Sequence, residues 1–170
     1  MQNIILIGMA GVGKSTLGKI LSQKLQMHFL DTDTLIQQKT GKKLQETIDK
    51  EGIERFMQIE EDVLCSVQCE NTIIATGGSA IYYEKAMSHL KQNGIAIYLY
   101  TSYEELIARL SNIPTRGIVM KNGSTFKDVY EERLPFYEKY ADIVINCSGK
   151  ISAKENAQKI LCKINSLQKN

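Results

Sequence analysis

Residues 8–15 read Gly-Met-Ala-Gly-Val-Gly-Lys-Ser. They stand between a short apolar run, Asn3–Gly8 (NIILIG), and a segment, Lys14–Leu25, whose Leu17, Ile20, Leu21 and Leu25 recur at helical spacing. The stretch fits G-x-x-x-x-G-K-[ST] and has the strand before and helix after that the pattern requires. Its glycines let the backbone curl so that successive N–H groups point inward at phosphate oxygens. The helix N-terminus adds positive potential at the same place. Lys14 then reaches the β- and γ-phosphates of a nucleoside triphosphate, and the Ser15 hydroxyl takes Mg²⁺. The expected nucleotide-binding residues are Gly11, Val12, Gly13, Lys14, Ser15 and Thr16.

The rest of the chain repeats the alternation. Met27–Asp31, Thr72–Thr76, Ile95–Tyr100 and Asp142–Asn146 are further short apolar runs that read as strands. Between them, Thr32–Lys50 reads as short helices broken at Gly41. Ile53–Cys69 reads as a long helix with Phe56, Ile59, Val63, Leu64 and Val67 on one face. Glu84–Gln92, Ser102–Leu110, Thr125–Lys139 and Ser152–Leu167 are the remaining helices, and Ser111–Gly123 reads as an exposed loop. Five strands joined through helices imply βαβ crossovers and a parallel sheet covered on both faces, an α/β fold of three layers. The 170 residues fit one domain. In such sheets ligands gather at the carboxyl ends of the strands. Gly8–Ser15, Asp31–Asp33 and Gly77–Ser79 all fall there.

Composition excludes several classes. Lys plus Arg is 21 and Asp plus Glu 19, too balanced to imply a nucleic-acid or membrane partner. No apolar run approaches the ~18 residues of a membrane span. The N-terminus lacks the basic, then apolar, pattern of a signal peptide, so a cytoplasmic protein is expected. Cys65, Cys69, Cys147 and Cys162 form no CxxC pair. Cys65 and Cys69 could lie one turn apart on a helix, but a zinc site would need two more ligands. His28 and His89 are isolated.

A phosphate loop does not by itself name a reaction. A GTPase switch would need an N-K-x-D segment, which the chain lacks. The match to D-x-x-G at Asp49–Gly52 does not follow a strand. A small-molecule kinase needs an acceptor pocket, a base for the acceptor hydroxyl and a cation over the transferred phosphoryl. Asp31-Thr32-Asp33 could divide the first tasks between two carboxylates, although Asp31 or Thr32 would also serve as a helix N-cap. Gly77-Gly78 could bring bare N–H groups to a ligand or form a tight turn. Arg116 falls where a lid would close, or is a surface arginine.

Together these residues resemble the shikimate kinase family, small P-loop kinases of the nucleoside monophosphate kinase fold. The resemblance runs through GMAGVGKST at 8–16, LDTD at 30–33, the run from Glu51 through Phe56 to Glu60, ATGG at 75–78, Arg116, and RLPFY at 133–137. It implies ATP and Mg²⁺, with Ser15 and Asp31 at the metal and Asp33 as base or orienter for the attacking hydroxyl. Lys14, Asp33 and Arg116 would be the catalytic set. Gly77, Gly78, Asp33 and Arg133 would bind the acceptor, with Arg133 on its carboxylate. Arg109 and the loop Cys147–Ser152 would flank the adenine. Residues 111–123 or so would form a mobile lid. The implied reaction carries the ATP γ-phosphoryl to a hydroxyl of shikimate, in a cytoplasmic monomer of aromatic amino-acid biosynthesis.

Two other readings stay open. One is a kinase of the same machinery with a different small hydroxylated acceptor. The other is a nucleotide-binding regulator without turnover. The family's second carboxylate clamp, an arginine, is replaced by Met57, and its third glycine by Ser79. The lid reads T-R-G-I-V. Losing one charge-assisted contact costs about 1.5–3 kcal/mol of acceptor binding.

Overall fold

The strands are β1 (Asn3–Ile7), β2 (His28–Asp31), β3 (Thr72–Ala75), β4 (Gly94–Tyr100) and β5 (Ile143–Asn146). All pair in parallel, in the order β2-β3-β1-β4-β5. The structure, a computed structural model, describes residues 2–110, 117–121 and 123–167. β1 is buried along its whole length, with Ile4 set between Ile73 and Ile95. That is why it reads as a continuous apolar run: both of its faces are covered.

The helices are α1 (Lys14–Leu25), α2 (Thr32–Thr40), α3 (Leu44–Glu51), α4 (Ile53–Ser66), α5 (Glu84–Lys91), α6 (Tyr103–Arg109), α7 (Phe126–Tyr140) and α8 (Ala153–Leu167). α1 packs on α8 and on β3, making one outer layer. α4 packs on α5, and α5 and α7 on β4, making the other. Gly41, with φ +66°, separates α2 from α3 as expected. Thr125 caps α7: its Oγ1 accepts from Asp128 N–H, and the Asp128 carboxylate accepts from Thr125 N–H at 2.7 Å.

The connections set the place of the site. From β1 the chain crosses by α1 to β2 on one side, and from β3 by α5 to β4 on the other. A crevice therefore opens between the carboxyl ends of β1 and β3, where the loops after residues 7 and 75 emerge.

Two expectations are corrected. The long helix ends at Ser66, so Cys69 lies beyond it and not one helical turn from Cys65. Here Asn3 captures the chain. Its Nδ2 donates to Cys69 O at 2.7 Å, and its Oδ1 accepts from Thr72 N–H at 3.0 Å. Val67 O is also taken, by a ring nitrogen of His89 at 2.7 Å. Of the loop expected to be exposed, residues 117–119 are anchored: Val119 is 7% exposed and packs with Ile36, Phe56, Ile59 and Val63 in a second, smaller core. Gly117 N–H donates to Gln45 Oε1 at 3.2 Å, tying the same segment to α3.

Candidate active site

The phosphate loop leaves β1 and turns into α1 at Gly13, whose φ of +105° is left-handed backbone that glycine adopts freely. Lys14 Nζ donates to Gly8 O at 2.6 Å and Met9 O at 2.9 Å, which stations the ammonium at the mouth of the loop. Gly11, Gly13, Lys14, Ser15 and Thr16 line a groove of about 310 Å³, with Asp33, Gly78 and Arg109 also on its walls. The side chain of Val12 is buried in the main core, and its N–H donates to Met9 O at 3.3 Å.

Arg109 ends α6. Its Nη2 donates to Glu105 Oε2 at 3.0 Å and to Cys147 O at 3.1 Å. Glu105 in turn accepts from Gly149 N–H at 2.6 Å and from Thr101 Oγ1 at 3.0 Å. These bonds, the Gly149 N–H first, hold its carboxyl below the usual range. Glu105 thus joins Arg109 to the 147–152 loop. Sequence reasoning missed it, although its spacing four residues before Arg109 on a helix was a visible signal.

At the end of β2, Asp31 serves as the helix N-cap and also bonds to the phosphate loop. Its Oδ1 caps α2 by accepting from Asp33 N–H at 3.1 Å, and its Oδ2 accepts from Ser15 Oγ at 2.6 Å. A hydroxyl and a carboxylate oxygen so close form the hard donor set that suits Mg²⁺. Thr32 is fully buried, and its Oγ1 accepts from Gly77 N–H at 3.1 Å, which locks the end of β2 to the end of β3. Asp33 faces the groove. Burial first, then Asp31, pushes its carboxyl up to about 6, against the pull of Lys14.

The other wall of the crevice is formed at Gly77 and Gly78. A Cβ on Gly77 would collide with Glu60 Oε1 and come within 3.1 Å of Asp33 Oδ1, so a bare Cα is what lets two carboxyls meet there. A Cβ on Gly78 would meet Arg133 Nη1 at 3.0 Å. Arg133 is 1% exposed. Its Nε donates to Tyr82 OH at 3.2 Å, its Nη2 donates to Val119 O at 2.8 Å, and the guanidinium lies 5.2 Å from the Tyr82 ring centre. Burial alone would lower its pKa; Tyr137, Tyr82 and Glu60 outweigh that and raise it. Tyr137 OH donates to Gly78 O at 2.6 Å, bracing the turn.

Glu60 carries no assigned role in the sequence reading, although it closes the quoted Glu51–Glu60 run. It lies four residues after Phe56, on the apolar face of α4, and is 1% exposed. Ser79 Oγ donates to its Oε2 at 2.5 Å and Tyr83 OH donates to the same oxygen at 2.7 Å. Burial pushes its carboxyl up to about 7, opposed by those two hydrogen bonds. Met57 packs against the apolar clusters instead. Between Asp33, Glu60, Gly77, Val119 and Arg133 remains a cavity of about 30 Å³. The structure brings Lys14, Ser15, Asp31, Asp33, Gly77, Gly78, Arg109 and Arg133 to one crevice. Arg116 lies outside the described residues.

The family model for shikimate kinase matches residues 10–165. A shikimate kinase of Bacillus cytotoxicus is 37% identical over 167 residues, covering 98% of this chain and all of the relative. A solved shikimate kinase from Acinetobacter baumannii, in complex with shikimate, superposes with a TM-score of 0.87 at 34% identity, covering 98% of this chain and 94% of its own. A shikimate kinase from Aquifex aeolicus gives 0.84 at 29% identity, covering 98% of each chain. With the phosphate loop, paired aspartates and glycine turn gathered in one crevice, and a match over nearly its whole length, the chain belongs to the shikimate kinase family.

Proposed function

We propose that this chain transfers the γ-phosphoryl of ATP to a hydroxyl of shikimate, giving shikimate 3-phosphate and ADP. The observation that carries this reading is Gly77. Asp33 stands at that glycine and also on the wall of the phosphate groove, so one carboxylate serves both substrates. The loop N–H groups and Lys14 would hold the triphosphate, with Arg109 beside the adenine. Ser15 and Asp31 would hold Mg²⁺, which when bound neutralises charge on the β- and γ-phosphates. Asp33 would take the proton of the attacking hydroxyl, and a carboxyl raised to about 6 is better matched to that task than an ordinary aspartate. Arg133 would bind the acceptor carboxylate, and Arg116 would cover the transferred phosphoryl. The same reading makes residues 1–170 one domain with a lid at about 111–123, acting as a monomer on small molecules in the cytoplasm.

A second acceptor is the alternative, and Met57 favours it: an apolar side chain stands where the family carries a carboxylate clamp. The test is ADP release with ATP, Mg²⁺ and a panel of small polyhydroxy acids. Turnover with shikimate is expected. Silence with shikimate at millimolar concentration, with turnover of another acid, would overturn the first reading. Asp33→Asn should abolish transfer while ATP binding stays near normal; undiminished turnover would remove Asp33 from its role.

A further inference from the structure

Glu60 takes no part in the transfer just described, yet its surroundings are built around it. Two hydroxyls converge on Oε2, from Ser79 at 2.5 Å and Tyr83 at 2.7 Å. With Oε2 so held, Oε1 is turned to Gly77, across which Asp33 Oδ1 stands. Arg133 lies on the wall of the same small cavity. The groups acting on Glu60 come from three directions: Ser79 and Tyr83 from the segment after β3, Asp33 from α2, and Arg133 with Tyr137 from α7. The hydroxyl of Ser79 stands where the family resemblance puts a third glycine, so that departure falls on the Glu60 carboxyl.

We propose that Ser79 and Tyr83 are positioning residues for Glu60, and that Glu60, through its charge, controls how well the pocket holds an acid acceptor against Arg133. The proposal rests on the kinase reading for its substrate class, a small hydroxylated acid.

Glu60 and Arg133 interact electrostatically, so an acceptor carboxylate drawn to the guanidinium enters the field of Glu60. In an enclosed site such a like charge acts at short range with little screening. When Glu60 holds its proton, the cation faces the acceptor unopposed. When Glu60 is ionised, it competes for the same guanidinium. Burial raises the point of that change, the Ser79 and Tyr83 hydrogen bonds oppose it because they favour the ionised form, and the balance falls near pH 7. Acceptor binding should therefore weaken as pH rises through about 7, while ATP binding on the far side of Gly77 should not follow.

The test is steady-state kinetics at about pH 5.5 to 8.5 with acceptor and ATP varied separately. The acceptor is shikimate, or whichever acid of the panel turns over. In the unsubstituted enzyme acceptor KM should rise with pH through about 7, with ATP KM following a different course. Glu60→Gln should flatten the acceptor profile. Ser79→Ala and Tyr83→Phe should each move the rise to higher pH, with acceptor KM on the order of three- to tenfold below the parent's above about pH 7 and unchanged at the acid end. A Glu60→Gln profile that superposes on the parent overturns the proposal. A second measurement needs no turnover: the Glu60 carboxyl followed by ¹³C NMR in the parent and in Ser79→Ala. Titration near 7, raised in Ser79→Ala, is expected. Titration below about 5 in the parent, or an unmoved midpoint in Ser79→Ala, overturns the proposal whatever the acceptor. Absence of shikimate turnover strikes the function reading alone.

Discussion

Asp31 shows how much one carboxylate can combine. One oxygen caps α2 and the other accepts from Ser15 of the phosphate loop, so the start of a helix is tied to the nucleotide side of the crevice. Glu60 is the opposite case, a carboxyl on an apolar helix face whose partners come from a later segment. A group of this kind leaves a mark on stability. Its folded pKa of about 7 lies above the ordinary 4.5, so the folded chain binds more protons than the unfolded chain between those values. Its contribution is therefore full below about pH 4.5 and is lost as pH rises through about 7. Relative to Glu60→Gln, the unfolding free energy of the parent should fall by up to about 3 kcal/mol over that window. Urea unfolding of both proteins across the window checks this; parallel curves would show that Glu60 titrates normally. The i,i+4 step from Phe56 to Glu60 was visible in the sequence, but its hydroxyl partners lie 19 and 23 residues away.

At the scale of elements, local pattern did well where packing agreed with it. β1 and α1 stand where the apolar run and the helical spacing put them, because a fully covered strand and an amphipathic helix carry their burial in their periodicity. The end of α4 did not follow, since nothing local stops that helix at Ser66. Asn3 stops it from the start of β1, more than sixty residues earlier, by taking Cys69 O and Thr72 N–H. Asn3 is nearly fully buried, so Asn3→Ala leaves a donor and an acceptor without partners. The expected cost is about 2 kcal/mol, seen as a lower urea midpoint with an unchanged slope. A midpoint equal to that of the parent would mean the connection is held by other contacts.

For the whole molecule, the consequential contact is the one made by residues 117–119. Val119 fills the small core beside Phe56, and its carbonyl accepts from Arg133, leaving a cavity of about 30 Å³ beside Gly77. That is room for a water and not for a seven-carbon acid such as shikimate, so an acceptor seated between Gly77 and Arg133 would have to displace this segment. Val119→Ala removes about two methylene equivalents of burial and should cost about 1.5 kcal/mol. It should also speed amide hydrogen exchange across 117–121 before it affects β1; uniform exchange rates would place the anchor elsewhere. The chain's own order of residues determined the parallel α/β layers, the phosphate loop and the paired aspartates. Each of these is written in a repeat or spacing of a few residues, and hydrogen bonding and burial act on it locally. The tertiary structure alone decided that Glu60 meets Ser79 and Tyr83, that Glu105 joins Arg109 to Gly149, and that Val119 sits on Arg133. Those meetings depend on the strand order and on which helices share a face, and no local period encodes either.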